Sequence, residues 1–331
     1  MATTTWNTIT NISGGGAGSA GNSQAAANTF IPKLWSDEIL ISREKNLVAA
    51  SFFKRINHKG KKGDTIIIPL ISNLKANDMS QVGAPIAPQV AAEGLKTITL
   101  NKWKEVSKGY NDLLMAQSRY DIRGEYTKKA GYALAEVLDT DIFALFPATL
   151  AAAYKVIGSD GKTQWSSTAN ANAGNGADIT DQGLRRMIQT LEDNLTPMNE
   201  VALFIPPSQK NALLGIDKFT LFQNIGRTKE IQTGSFGEIY GIPVKISTNL
   251  PDALAADGTT KYKVAVLAHK DSVCSAIQMD VRTQSQYKIE YLSTFVVSDM
   301  IYGVAALRLD EDDTTASNHR LAQAVACYVP A

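Results

Sequence analysis

The sequence is poor in the residues that build catalytic or metal centres. It has two cysteines, Cys274 and Cys327. Both stand in apolar, strand-like surroundings and far apart, so they make no disulfide framework and read as buried reduced thiols, consistent with a cytosolic origin. None of the three histidines, His58, His269 and His319, has a second histidine or a cysteine at metal-ligand spacing, so zinc is not supported. His269, in LAHKD, reads as a residue at a strand end on an edge, not as a base. No run of about 18 apolar residues is present, which excludes a helical membrane span. The first residues lack the basic head and apolar run of a secretory signal, so none is expected. Net charge is +1, which leaves no global field to draw the chain to nucleic acid or membrane.

Catalytic motifs are equally scarce. Gly14-Gly15-Gly16-Ala17-Gly18-Ser19 is glycine-rich, but a phosphate-cradling loop needs a lysine and Ser/Thr after its last glycine, and the next lysine is Lys33. Gly234-Ser235-Phe236-Gly237 has the wrong spacing for a nucleophile elbow. Asp310-Glu311-Asp312-Asp313 lacks the alternating ligands and glycine of a calcium loop and reads as solvated. Glu192-Asp193 falls on the wet face of a helix. The basic turn His58, Lys59, Lys61 and Lys62 has no interleaved aromatics for base stacking. It is either a contact for phosphates or an acidic neighbour, or a solvated turn. No cofactor is expected.

What is present is ordinary globular composition, 44% hydrophobic and 20% charged over 331 residues, enough for a sizeable core in two domains or one elaborated one. Residues 1–30 are small and polar and have little to bury on their own. From Pro32 a helix is predicted through Ser51, with Trp35, Ile39, Leu40, Leu47 and Val48 on its stripe. Residues 64–72, DTIIIPLIS, form a strand that Pro69 confines to an edge. Residues 95–107 alternate as its partner. The long Gly/Pro-marked link between them makes the whole a projecting two-stranded ribbon, which is marginal alone and needs another surface. A long amphipathic helix follows over 121–146, ended by Pro147. Its stripe is Ile122, Tyr126, Ala130, Ala133, Val137 and Leu145, widened by Leu134, Leu138 and Ile142. Next come a polar loop (158–178), a helix with Leu184, Ile188, Leu191 and Leu195 on one face, the buried strand VALFIPP and the short helix SQKNALLGI. This order suggests a central α/β unit. The last third reads as strands: YKVAVLAHK, SVCSAIQMDVRTQ, YKIEYLSTFVVS and MIYGVAALRLDED, with AQAVACYVPA as a closing strand.

One stretch, GEIYGIPVKISTNLP at 237–251, is apolar and alternating, yet broken by Gly241 and Pro243 and ended by Asn249-Leu250-Pro251. Together with Ile31-Pro32-Lys33-Leu34-Trp35-Ser36-Asp37-Glu38-Ile39-Leu40, Asn46-Leu47-Val48 and Met300-Ile301-Tyr302-Gly303-Val304-Ala305-Ala306-Leu307-Arg308, it resembles the major capsid proteins of tailed bacteriophages, whose shared shell fold is named after phage Hong Kong ninety-seven. The order of the motifs spans nearly the whole chain. The resemblance implies an α+β capsid fold with an N-terminal arm and first helix (1–57) and an extended β-hairpin loop (58–110). It further implies a peripheral domain with a spine helix (111–154), an α/β axial domain (155–271), peripheral strands (272–300) and return strands to the axial domain (301–331). GIPVKIS then becomes a short strand near a domain edge that serves shape.

The same resemblance implies a virion shell protein, assembled in the bacterial host cytoplasm into hexamers and pentamers of an icosahedral head. Its partners are copies of itself, a separate scaffolding protein, the portal, cement proteins, and packaged double-stranded DNA contacted non-specifically, with no membrane. Candidate contacts between copies are Trp6 and Trp35 in the arm, Lys59, Lys61 and Lys62 in the basic turn, and Leu74, Val82, Ile86 and Val90 on the ribbon tip. The last four either anchor on a neighbour or form a local core of the tip. Some relatives link subunits through a lysine–asparagine bond; Lys75 and Lys96 lie on the ribbon, but no asparagine and catalytic glutamate match, so closure is expected to be non-covalent. An encapsulin-like cargo compartment and an α/β enzyme with an unrecognised site are the alternatives.

Overall fold

The computed structural model describes residues 44–60, 62–71, 76, 93–117, 122–167, 176–216, 237–255, 258–309 and 322–331. The chain divides into two units, Met1–Glu44 and Lys45–Ala331. The first lies outside the described residues except for Glu44, and the second holds every described element. In chain order these are α1 (Ala49–Phe52), β1 (Lys54–Asn57), β2 (Thr65–Ile71), β3 (Glu93–Thr99), β4 (Lys102–Asn111), α2 (Asp112–Gln117), α3 (Ile122–Thr149), β5 (Lys155–Ile157), α4 (Asp181–Asp193), β6 (Val201–Ile205) and α5 (Pro207–Leu214). Then follow β7 (Glu238–Ile239), β8 (Ile242–Ile246), β9 (Asp252–Leu254), β10 (Lys261–His269), β11 (Val273–Lys288), β12 (Ser293–Ala306) and β13 (Ala324–Pro330). The class is α+β.

Seven strands form the larger sheet, in the order β5-β13-β10-β6-β8-β7, with β9 also paired to β10. Alternate residues of its central strands point to opposite faces. Ala202, Phe204, Val264, Val266, Ala326 and Tyr328 meet Phe53 of the chain entering the body and Leu134, Ile142, Phe143 and Phe146 of α3. Val201, Leu203, Ile205, Ala265, Leu267 and Val329 meet Leu184, Met187 and Leu191 of α4 and Leu213 of α5. With helices on both faces, β6 reads as an unbroken apolar run, all five residues buried.

The smaller sheet has the order β1-β11-β12-β4, and the ribbon β2-β3 is a separate pair, Thr65↔Thr99 through Ile71↔Glu93. Several sequence expectations shift here. Of the helix expected from Pro32 through Ser51, the part up to residue 43 lies outside the described residues; among those described, 44–48 are irregular and Ala49–Phe52 are helical. The single partner strand expected over 95–107 is two strands, because the chain breaks at Leu100-Asn101 and β4 leaves the ribbon to pair with β12, Tyr302↔Lys102 through Ser293↔Asn111. The stretches YKIEYLSTFVVS and MIYGVAALRLDED do not make two strands. Tyr287 and Lys288 end β11, Ile289–Tyr291 turn, and Ser293–Ala306 run on as one strand. Ser298, which ends the first expected strand, and Asp299, which falls between the two, have cross-strand partners. The Thr283 and Ser298 hydroxyls are 2.9 Å apart, and Asp299 accepts from Arg282. The closing strand β13 is interior, between β5 and β10. For the same reason His269, last residue of β10, is buried and lies opposite Val201, not on an edge.

Both long helices differ from their expected stripes. The buried line of α3 is Leu134, Leu138, Ile142, Phe143, Phe146 and then Leu150, while Tyr126 is exposed. Pro147 lies inside its last turn, so the helix runs two residues past the proline expected to end it. In α4 the Thr180 hydroxyl caps the start by accepting from Gly183 N–H at 3.0 Å. Its end closes on Leu195, left-handed at φ 55°. Leu195 N–H donates to Glu192 O and Thr196 N–H to Leu191 O, the pattern usually built on glycine. That conformation turns the Leu195 side chain out of the expected stripe, 65% exposed. The strand β8 pairs in parallel with β6. On its other side, among the described residues, stands the two-residue β7, joined to it by a turn with positive φ at both Tyr240 and Gly241. Pro243 therefore lies where little pairing is lost.

Candidate assembly surfaces

Three places hold side chains that the packing of the body leaves unexplained or that fix how its parts meet. The first is the base of the ribbon. One ribbon face, Ile66, Ile68 and Ile98 followed by Leu100, packs onto Cys274, Ala276 and Ala305. Gly303 on β12 permits this approach: a Cβ there would lie 2.1 Å from Thr99 O and 3.2 Å from Leu100 Cα. The opposite ribbon face points outward and carries Ile67 and Leu95, 59% and 67% exposed. Side chains that alternate across a strand cannot both be inside, but here the outer row sets Ile67 and Leu95 in water beside Pro69 and the threonines Thr65, Thr97 and Thr99.

The second place is where the chain enters the body. Asp139 of α3 is fully buried. Its Oδ1 accepts from Ala49 N–H at 2.6 Å and Ala50 N–H at 3.2 Å, and its Oδ2 accepts from Asn249 Nδ2 at 3.2 Å. One carboxylate thus caps α1 and holds the Asn249-Leu250-Pro251 turn. Burial pushes its pKa up, while these hydrogen bonds oppose the rise. Nearby, Lys45 pairs with Glu136 at 2.7 Å, and Lys45 N–H donates to the Tyr132 hydroxyl at 2.7 Å. Two residues further along α3, Asp141 accepts from Lys102 Nζ at 3.0 Å and from the Tyr302 hydroxyl, which fixes the helix to the smaller sheet. Sequence reasoning passed over both aspartates, because a single carboxylate beside Leu138 and Thr140 looks like a wet-face residue.

The third place is the far end of the smaller sheet. Its open face carries Trp103, Arg282 and Asp299. Asp299 receives Arg282 Nε at 2.8 Å, Arg282 Nη2 at 3.0 Å and Trp103 Nε1 at 3.1 Å. The Arg282 guanidinium holds the Asp299 carboxyl below its usual range. At the tip, Ile289, Tyr291 and Leu292 are exposed.

The basic turn is strapped down rather than projecting. His58 N–H donates to Ile277 O, Gly60 N–H to Gln278 O, and Gln278 Nε2 to Gly63 O. Lys59 pairs with Asp280, which also receives Arg55 at 3.3 Å. Lys62 is exposed. The other expected contact residues, Trp6, Trp35, Lys61, Leu74, Val82, Ile86 and Val90, lie outside the described residues, as do Lys75, His319 and 310–313. Both cysteines are free and buried; burial pushes the Cys274 thiol up to about 12 and the Cys327 thiol higher still. Among the described residues no three His, Cys, Asp or Glu side chains are grouped to hold a metal, and no helix is long and apolar enough to cross a membrane.

A family model described as phage capsid protein matches residues 97–315. The fold is similar to that of solved phage chains. A chain of Mycobacterium phage Che8 superposes with a TM-score of 0.69 at 16% identity, over 91% of this chain and 97% of that one. A chain from the capsid of cyanophage P-SCSP1u gives 0.67 at 16% identity, over 91% and 94%. One from the capsid of Ralstonia phage GP4 gives 0.64 at 13%, over 96% and 98%. No curated protein matches the sequence.

Proposed function

The chain belongs to the phage capsid protein family, and from that membership we propose that it is the major head protein of a tailed phage, many copies of which close as hexamers and pentamers into an icosahedral shell around double-stranded DNA. Its role is structural. The observation that carries the reading is the ribbon base: a strand pair docked on its own body by one face, with Ile67 and Leu95 on the other face left open. Such a face has an occupant when a neighbouring copy covers it.

The ribbon extends over an adjacent subunit, with Leu74, Val82, Ile86 and Val90 as its contacts, and the arm, with Trp6 and Trp35, reaches another. The helix α3 serves as the spine of a peripheral domain, and the seven-stranded sheet as the axial domain. Each contact is modest; linked in one subunit they act together, and misplaced copies still dissociate during assembly. Head-to-tail contacts close into rings and rings into a shell. A separate scaffolding protein guides closure in the host cytoplasm, and a portal and cement proteins complete the virion. DNA is enclosed through sequence-independent, salt-sensitive contacts.

Deleting residues 73–94 tests the reading. The expected result is folded capsomers that make no stable shells in negative-stain microscopy; shells of unchanged heat resistance would overturn it. Removing residues 1–28 should weaken assembly more than it changes circular dichroism. The contents of purified particles separate a genome-filled head from a cargo compartment of the same fold.

A further inference from the structure

The smaller sheet has two faces. Met300 and Tyr302 of β12 turn one of them into the core beside α3, and alternation along the strands sends the residues between them to the other. Across that open face the rows run from Arg282-Asp299-Glu105 to Gln286-Phe295-Gly109. Trp103 stands one step beyond the first row, opposite Ile301. The face forms an open trough of about 860 Å³. From Ile301 to Phe295 it follows the strands for about 20 Å.

An aromatic ring is held in water at one end. Trp103 is 68% exposed although its Nε1–H donates to Asp299 at 3.1 Å. That bond fixes the indole by its polar edge and leaves most of the ring open, a flat apolar platform. Beside it, hydrogen-bonding capacity is unused. Glu105, Ser107, Gln284 and Gln286 are exposed, and their side chains have no hydrogen-bond or ion-pair partner among the described residues. The amides and the hydroxyl donate and accept, and the carboxylate accepts. The charges of the trough cancel. Asp299 takes Arg282 Nε and Nη2 at 2.8 and 3.0 Å, and Lys288 and Glu105, which also line it, are of opposite sign. Such a lining does not select a polyanion such as nucleic acid; it is complementary to an uncharged ligand.

We propose that this trough binds a neutral polysaccharide, with a pyranose ring stacked on Trp103 and successive hydroxyls held by Glu105, Gln284 and Gln286. A pyranose has an apolar C–H face and a rim of hydroxyls, which matches one flat ring beside a row of donors and acceptors. A polymer fits better than a single sugar, because the polar row continues toward Phe295 and weak contacts along one chain add up. The trough is built within one subunit, so the assignment stands apart from the shell role and adds to it a hold on carbohydrate.

The test uses the full-length protein, as subunits and as particles. Calorimetric titration with maltohexaose, cellohexaose, mannohexaose and chitohexaose should show saturable binding of at least one. Trp103→Ala should weaken that binding about tenfold, and so should Gln284→Ala combined with Gln286→Ala. Trp103→Phe, which keeps a ring, should lose less. Circular dichroism should match wild type throughout; if Trp103→Ala fails to fold, the double glutamine variant, whose side chains have no partner in the body, carries the test. A heparin hexasaccharide and a thymidine oligonucleotide should not bind. The assignment is overturned if none of the four neutral sugars binds, if binding is unchanged in these variants, or if either polyanion binds more tightly than every neutral sugar. Binding by subunits that vanishes in particles would put a neighbouring copy in the trough and overturn it as well. Failure to form particles counts against the shell role alone, since the subunits still report on the trough.

Discussion

Gly303 and Thr99 meet backbone to backbone, so closely that a Cβ on Gly303 would stand 2.1 Å from the Thr99 carbonyl oxygen. The contact lies where the ribbon leaves the smaller sheet, and no flexible side chain is available to yield. Gly303→Ala should therefore push β3 away from β12 and destabilise the body by about 2 kcal/mol, within the range for overpacking. Thermal unfolding of the soluble subunit measures the loss. Limited proteolysis should show the ribbon cut before the body. An unchanged melting temperature would contradict the packing described for this strand.

Asp139 offers a test of how the entering chain is held. Asp139→Ala removes the acceptor for two backbone N–H groups and for Asn249, and should cost about 3 kcal/mol. The pH dependence has a definite sign. Burial raises this carboxyl above its ordinary 3.8, so the folded protein holds the proton more tightly than the unfolded chain. That contribution is fully present below 3.8 and is lost as pH rises through the raised value. Relative to Asp139→Asn, the wild type should gain stability on acidification through this window. Urea titrations of both proteins across the acid range measure it.

Asp299 should behave in the opposite sense. Arg282, with Trp103, holds its carboxyl below 3.8, so its contribution is present above 3.8 and disappears as pH falls through the lowered value. The stability difference between wild type and Asp299→Asn should shrink below pH 3.8 and be widest near neutrality. A difference that stays constant with pH would mean that the ion pair contributes nothing to stability.

The thiols give a direct check of burial. At pH 8, a thiol with a pKa of about 12, as for Cys274, is thiolate in about one molecule in ten thousand. A chromogenic disulfide reagent should find no reactive thiol in the native protein and two per chain after denaturation.

Much of the body was legible where one face or both faces of an element are buried uniformly. The strand β6 announces itself by VALFI, and α4 by Thr180 and the spacing of Leu184 and Leu191. The motifs around Gly241, Asn249 and Gly303 pointed to the family, and two now have physical content: Asn249 holds Asp139, and Gly303 admits Thr99. What escaped is set by partners distant in sequence. Asp299 looked like a strand break because Arg282 and Trp103, which satisfy it, are distant in sequence. The stripe of α3 was read off centre because Phe143 and Phe146 are buried by Phe53 and Phe204, not by periodicity alone. The hairpin tip was hidden inside an apparent strand, since Ile289 and Leu292 have the same apolar character whether they face a core or water.

The position of β13 has a consequence for when the chain becomes competent. Residues 324–330 occupy the slot between β5 and β10, so the partners on either side wait for a segment translated well over a hundred residues after β5. Until it arrives, two strand flanks stay unzipped, and the places of Ala324, Ala326 and Tyr328 in one apolar layer and of Val325, Cys327 and Val329 in the other stay unfilled. A nascent chain that has not yet reached residue 330 thus lacks the closed seven-stranded sheet, and the body is completed only after synthesis has passed that point.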